Sequence, residues 1–283
     1  MSVDWPDFND LRDYNDPAST EQKFRELIPA AQAAGDPSYT LQLLTQIART
    51  LGLQGKFEEA HVVLDEVEEQ MAGGDLVEVR YLLERGRAFN SDHQPETAVP
   101  LFDQAVILAK KIEAYFYAVD ALHMLGIAAP PAERLDWNLQ AIAYAEDCGD
   151  ERAARWLGSL YNNTGWTLFD EERYPEALEM FQKAEVFRRD QGTPDQIRIA
   201  RWCVAKTQRV LGDVEVALAT QRDLEQGDES DGFIKEEIGE CLLALGEAEA
   251  ARPYFRNAYE LLSQLEWVAE DETRMQRLKS LSE

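Results

Sequence analysis

The sequence predicts an all-α protein, an α-solenoid of stacked antiparallel helix hairpins. A small apolar pattern, in which an alanine is followed by Phe or Leu and then by a second alanine, returns every 34 to 43 residues. No stretch alternates apolar and polar residues as a half-buried strand does. Glycine and proline are scarce, at 16 and 11 of 283 residues, which leaves long stretches for helices. The leading alanines are Ala60, Ala98, Ala177, Ala217 and Ala251, with a degenerate copy centred on Arg134.

The N-terminal region predicts a lead-in followed by one helix. Residues 1–18 are rich in Asp, Asn and Pro and have no helical period, so we expect an irregular segment. A helix is expected to begin at Ser19 or Thr20 and to end at Gly35. Its apolar face carries Phe24, Leu27, Ile28 and Ala31.

Turn residues then divide the chain at regular intervals. Looser separators are predicted at 73–75, 149–150, 192–194 and 227–232. Tight turns within the units are predicted at 53–56, 91–94, 170–173, 211–213 and 245–247. We therefore expect about six hairpins and the N-terminal helix within 19–265, and a capping helix at 266–283 with one apolar face.

The recurring small, aromatic and alanine positions of these units resemble the tetratricopeptide repeat (TPR) family. The resemblance implies a right-handed superhelix of the long-repeat bacterial type, in which the first helix of each pair lines a concave side that holds ligands. Such proteins usually bind partners rather than catalyse reactions. The matching positions are Gly86, Phe89, Ala98, Phe102 and Ala105; Gly165, Leu168, Tyr174, Ala177, Phe181 and Ala184; and Gly239, Leu242, Ala251, Phe255 and Ala258.

The third unit departs from this pattern. Pro130 and Pro131 stand in its inner turn, and Arg134 and Asn138 take the alanine and aromatic positions. We expect its second helix to be displaced and the array to bend or open there.

Composition excludes several partners and places. The net charge of −26 argues against nucleic acid and anionic membranes, which attract an excess of Lys and Arg. The chain has no run of about 18 apolar residues and no secretory signal, so we expect a cytoplasmic protein. Cys148, Cys203 and Cys241 have neither metal-ligand nor redox spacing, which predicts buried thiols in a reducing compartment.

No motif predicts catalysis. The three histidines, His61, His93 and His123, lie in different repeats without nearby carboxylate pairs at metal-ligand spacing. Nucleophile, zinc, phosphate-loop and C-x-x-C motifs are absent from the sequence. We expect no enzyme activity, no cofactor and no metal, and the sequence leaves the oligomeric state open.

The inward positions of the first helices supply the candidate binding residues. In the first five units these positions carry five basic residues and no acidic one, which favours an anionic partner group. The alternative is ion pairing between adjacent helices, because the neighbouring column holds Glu84 and Asp120. The candidates are Arg49, Arg80, Arg87, His123, Asn162, Asn163, Trp166, Trp202, Lys206 and Arg209.

We therefore predict a scaffold that binds a protein or peptide in a concave groove, and an acidic or carboxylate-bearing segment is one form the partner could take. Arginine would pair with carboxylates, asparagine would bond the peptide backbone and tryptophan would hold an apolar anchor. The columns of the chaperone-tail clamp hold Thr45, Arg49, Leu83 and Arg87 here, so that specificity is not carried over. The alternative is a peptide-responsive regulator whose superhelix changes pitch.

Overall fold

A computed structural model describes residues 5–227 and 230–283, which form seventeen α-helices and no β-strand. The all-α prediction is confirmed for these residues. Residues 1–4 of the predicted lead-in, and Asp228 and Glu229 of the predicted separator, lie outside the described residues. The chain divides into two compact units, one ending at Trp156 and the other beginning at Leu157.

The first unit is a series of helices in which each packs on the next. Contacts also join α3 (Pro37–Leu53) to α5 (Leu76–Ser91) and α5 to α7 (Tyr115–Ala128), so the first helices of successive pairs lie side by side. The helices are α1 (Phe8–Leu11), α2 (Pro17–Ala33), α3 (Pro37–Leu53), α4 (Phe57–Gln70), α5 (Leu76–Ser91), α6 (Pro95–Lys111), α7 (Tyr115–Ala128), α8 (Pro131–Asp147) and α9 (Glu151–Ala154).

The second unit repeats this arrangement and ends in two shorter helices. The last helix, α17 (Glu272–Leu281), packs on α15 (Ala248–Leu262) and covers the end of the core with Leu278. The helices are α10 (Leu157–Asp170), α11 (Tyr174–Gln191), α12 (Pro194–Leu211), α13 (Val214–Gly227), α14 (Gly232–Ala244), α15 (Ala248–Leu262), α16 (Glu266–Ala269) and α17 (Glu272–Leu281).

The repeated small and large residues form the core of each pair. All five pattern alanines are at most 1% exposed. The phenylalanine of the second helix lies against the glycine of its partner: a Cβ added at Gly86 or Gly165 would stand 2.5 Å from the ring of Phe102 or Phe181. The pattern therefore selects glycine because two backbones and a ring must meet there.

The third pair keeps this contact with different chemistry. Helix α8 packs along α7, and Asn138 is buried against Gly126 at the position that Phe102, Phe181 and Phe255 occupy in three other pairs. The Nε of Arg134 donates to the carbonyl of Ala129 at 2.9 Å. The sequence departure thus changes the residue at the contact and leaves the pairing of the two helices in place.

The tight inner turns share one backbone requirement. The residue two positions before the start of the second helix is left-handed in five pairs, with φ of 73° at Gly55, 98° at Gly212 and 81° at Gly246. His93 and Glu172 adopt φ of 59° at the equivalent position. Glycine reaches this region without strain, whereas other residues reach it at a cost.

Residues 5–16 contain helical structure that the sequence pattern does not indicate. They include α1, whose Phe8 is buried and packs on Phe24 and Tyr39. Helix α2 begins at Pro17, two or three residues before the predicted start, because the Asp16 side chain accepts from the Ser19 N–H at 3.0 Å. This segment also brings Arg12 to the face formed by α3, α5 and α7.

Candidate functional site

The first helices of the first unit enclose a cavity of about 100 Å³, which we call the arginine cavity. It brings together three predicted residues, Arg49, Arg80 and Arg87, and places His123 beside it through its ring contact with Trp156 at 5.0 Å. The lining residues are Arg12, Tyr14, Gln46, Arg49, Arg80, Leu83, Glu84, Arg87, Phe116, Tyr117, Asp120, Arg152 and Trp156.

Arg87 is the centre of a buried ion network. Its guanidinium donates to Glu84 at 2.8 Å and to Asp120 on the adjacent first helix. Burial disfavours its charge, but Asp120 and Glu84 outweigh burial and raise the pKa of Arg87. Arg49 lies 3.8 Å from the same Glu84. At Arg87 the alternative prediction, ion pairing between adjacent helices, describes the structure.

Arg80 has a different environment. It is 8% exposed, and its guanidinium lies over the rings of Phe8 at 4.7 Å and Tyr117 at 4.9 Å while donating to the Tyr117 hydroxyl. No carboxylate of the described residues lies within 4.0 Å of it. Burial lowers the pKa of Arg80 although Tyr117 and Glu84 oppose the shift. Arg80 is therefore a buried cation held by aromatic rings.

Two further arginines line the cavity from outside the repeats. Arg12, in the lead-in, donates to Gln46 and to the Tyr14 hydroxyl at 2.9 Å. Arg152, after the third pair, lies 4.4 Å from the Phe116 ring centre and pairs with Asp7 at 3.4 Å. Sequence reasoning missed both, because no periodic pattern links either residue to the inward columns.

The second unit carries a continuous line of rings, the aromatic row, formed by Trp166, Trp202, Phe233 and Trp267. Successive ring centres are 6.1, 6.3 and 5.8 Å apart across α10, α12, α14 and α16. Trp166 and Trp202 are half-buried and Trp267 is 67% exposed. The prediction that Trp166 and Trp202 share one face is consistent with this contact. The inward spacing also selects Phe233, but neither Phe233 nor Trp267 is among the candidate binding residues.

An apolar cavity of about 210 Å³ adjoins the aromatic row. Ile199, Trp202, Phe233 and Ile234 line it, and the Arg198–Asp231 ion pair, at 2.5 Å, stands at its edge. Ile199 is 52% exposed. This face of α12 and α14 can therefore accept an apolar side chain.

Lys206 and Arg209 are paired within the second unit. Both bind the buried Glu237 of α14, at 2.6 and 2.8 Å. Burial opposes ionisation of Glu237, but Lys206 and Arg209 outweigh it and lower the pKa of this carboxyl. Glu237 was missed because the inward spacing selects its neighbours, Glu236 and Glu240, which instead pair with arginines of α17.

Asn162 and Asn163 lie at a second, smaller opening of about 180 Å³ in this unit. The Asn162 amide donates to the Asn163 carbonyl oxygen at 3.5 Å, and the Cys203 thiol donates to Asn162 at 3.7 Å. Both side chains are half-buried. Each asparagine keeps further hydrogen-bonding capacity beyond these weak contacts.

Comparison with solved structures decides the fold. A TPR protein from Parabacteroides merdae is 16% identical, with 97% of this chain and 95% of that chain covered and a TM-score of 0.56. The apo form of RapI is 12% identical over 97% and 80% of the chains, with a TM-score of 0.70. YrrB, a TPR protein with an unusual peptide-binding site, is 17% identical over 76% and 96%, with a TM-score of 0.50.

The fold is that of the tetratricopeptide repeat. No family model and no curated protein sequence matches the chain, so the likeness is one of structure at low identity. Within this fold, Arg49, Arg80 and Arg87 of the arginine cavity lie on first helices of successive pairs, and so do the first three rings of the aromatic row. These are the helices to which the repeat pattern assigned the inward positions.

Two kinds of site are absent from the part of the chain that the structure describes. Residues 5–227 and 230–283 hold no group of three or more His, Cys, Asp or Glu side chains that could bind a metal ion. None of their helices is long and apolar enough to cross a bilayer.

Proposed function

We propose that this protein is a binding scaffold that captures a peptide or protein segment on the first helices of its TPR pairs. The observation that carries the proposal is the aromatic row of the second unit with the apolar cavity beside it. Aromatic side chains next to a pocket are the usual anchors of binding energy at protein interfaces. The structural likeness to YrrB, described as having a peptide-binding site, is in keeping with this function.

The apolar cavity fits one side chain rather than a whole small molecule. Its volume of about 210 Å³ is below the roughly 300–1,000 Å³ of typical small-molecule sites. Ile199 and Trp267 expose apolar surface beside it, and burial of such surface contributes about 25 cal/mol per Å². We therefore propose that the partner inserts an apolar or aromatic side chain at Trp202 and Phe233.

The asparagines give this face a polar complement. Ile199 lines both the apolar cavity and the opening that holds Asn162 and Asn163, so the two are adjacent. An extended peptide exposes one N–H and one C=O for each residue, and asparagine amides can satisfy both kinds of group. An apolar anchor beside backbone recognition selects a segment of extended chain.

The test is Ile199→Asp, with Val186→Asp as the matched control. Both residues are exposed, at 52% and 69%, and Val186 lies on α11, a second helix. Peptides selected on the wild-type protein from a random 12-residue display library should share an apolar or aromatic residue. Their dissociation constants should rise at least tenfold, about 1.4 kcal/mol, in Ile199→Asp and stay unchanged in Val186→Asp.

Two outcomes would refute the proposed function. One is a library that yields no binder to the folded wild-type protein. The other is a set of peptides that bind both aspartate variants equally, which would place the interface elsewhere. The prediction that a peptide alters the pitch of the array stays a separate hypothesis, since no feature of either unit favours it over simple capture.

A further inference from the structure

We propose that the arginine cavity of the first unit binds one oxyanion, a phosphate or carboxylate group. This goes beyond peptide capture on the aromatic row, because a free anion could occupy the cavity without any peptide. Three features of the cavity carry the inference: its charge, its unpaired hydrogen-bond donors and its size.

The charge inside the cavity is positive after internal pairing. Five arginines line it against two carboxylates, Glu84 and Asp120, in a chain whose net charge is −26. Both carboxylates bind Arg87. Arg12 and Arg80 have no carboxylate of the described residues within 4.0 Å. A buried cation without a counter-charge is costly, and a bound anion would remove that cost.

The unpaired hydrogen-bonding groups of the cavity also favour an anion, because most of them are donors. Four buried N–H groups on lining residues lack an acceptor, namely the Nε of Arg12, Arg80 and Arg87 and the Nε1 of Trp156. A single acceptor oxygen, on Glu84, lacks a donor and lies 3.8 Å from Arg49. A buried donor without an acceptor costs about 1–3 kcal/mol. An oxyanion offers several acceptor lone pairs in one group, which small side-chain rotations would bring to these donors.

The cavity has room for a small chemical group but not for a peptide. Its volume of about 100 Å³ is far below the roughly 300–1,000 Å³ of typical small-molecule sites, which suits one phosphate or carboxylate group. Arg80 is already fixed between the Phe8 and Tyr117 rings, so little side-chain entropy is lost when it binds. The ligand is therefore either a small anion or one anionic group projecting from a larger molecule.

The test is calorimetric titration of the full chain with inorganic phosphate and, separately, with acetate, at constant ionic strength in chloride. We expect saturable one-site binding of at least one anion. Arg80→Met should weaken it at least tenfold, and Arg80→Lys, which keeps the charge and loses the planar donors, should weaken it less. Arg173→Met, which removes an exposed arginine of the second unit, should leave it unchanged. Arg12→Gln provides a second cavity variant in case Arg80→Met does not fold.

A capped phosphoserine tripeptide distinguishes the two sources of the group. Tighter binding of the tripeptide than of phosphate indicates a peptide-borne group, and weaker binding indicates a free anion; both support the site if Arg80→Met abolishes them. Absence of saturable binding, or binding that neither Arg80→Met nor Arg12→Gln changes, overturns it. Ile199→Asp should retain anion binding, so failure of the aromatic-row proposal would not affect this result.

Discussion

Arg87→Met should be one of the most destabilising single substitutions in the first unit. Arg87 is 8% exposed and is the hydrogen-bonding partner of two carboxylates that are themselves 7% and 5% exposed, Glu84 and Asp120. Methionine fills much of the volume of the arginine side chain but carries no charge, so both carboxylates stay buried without their cation. Removing one partner of a buried ion pair costs about 3–5 kcal/mol. Arg49 stays 3.8 Å from Glu84, so we expect a loss near the lower value, about 3 kcal/mol.

The assay is urea unfolding followed by far-UV circular dichroism, with Arg80→Met as the matched control. Arg80 is equally buried but has no carboxylate partner, so its removal costs aromatic and hydroxyl contacts while ending the desolvation of a charge. We expect Arg80→Met to change the free energy of unfolding by less than about 1 kcal/mol. The triple variant Arg87→Met, Asp120→Asn, Glu84→Gln should recover much of the loss. Equal effects of the two single arginine substitutions would refute this account of the network.

The remaining predictions concern the core and the pH dependence of stability. Gly86→Ala and Gly165→Ala should each lower the free energy of unfolding by about 1–3 kcal/mol, because the new Cβ would lie 2.5 Å from a phenylalanine ring. Gly52→Ala is the control: the space around Gly52 is open, so this variant should be neutral or stabilising in urea unfolding. Equal urea midpoints for all three would contradict the contact. Burial lowers the pKa of His123 below its ordinary value of about 6.5. As the pH falls through that value, the unfolded chain therefore binds a proton at His123 before the folded chain does. The free energy of unfolding should then fall by up to about 1.4 kcal/mol for each unit of decreasing pH. His123→Asn should flatten the pH dependence of the urea midpoint below neutrality, and an unchanged pH dependence in this variant would contradict the assignment.

The core of each pair was predictable because it depends on short-range spacing. Steric contact between two helices joined by a short turn selects small residues at fixed positions. Examples are Ala98 and Ala177, and the glycines opposite Phe102 and Phe181. Such contacts recur whenever the sequence recurs. The helical structure of residues 5–16 was not predictable in this way, because Phe8 packs through contacts that have no counterpart in the other repeats.

The candidate site was predictable only in part, for a different reason. Helical spacing determines which face a residue occupies, so it places Trp166 and Trp202 on one face, and their ring centres lie 6.1 Å apart. Long charged side chains, however, select partners several ångströms from their own Cα. The pairing of Lys206 with Glu237, and of Arg87 with Asp120, therefore required coordinates.

The inward basic residues of the two units differ in what remains after pairing. In the second unit Lys206 and Arg209 are both bound to one buried carboxylate, so their charge is used within the fold. In the first unit Glu84 and Asp120 form ion pairs with Arg87, so the contacts of Arg80 are with aromatic rings and the Tyr117 hydroxyl. A count of basic residues treats these arginines alike, but only unpaired charge can contribute to binding an anion. The anion titration and the Arg87→Met measurement therefore examine two consequences of the same pairing pattern.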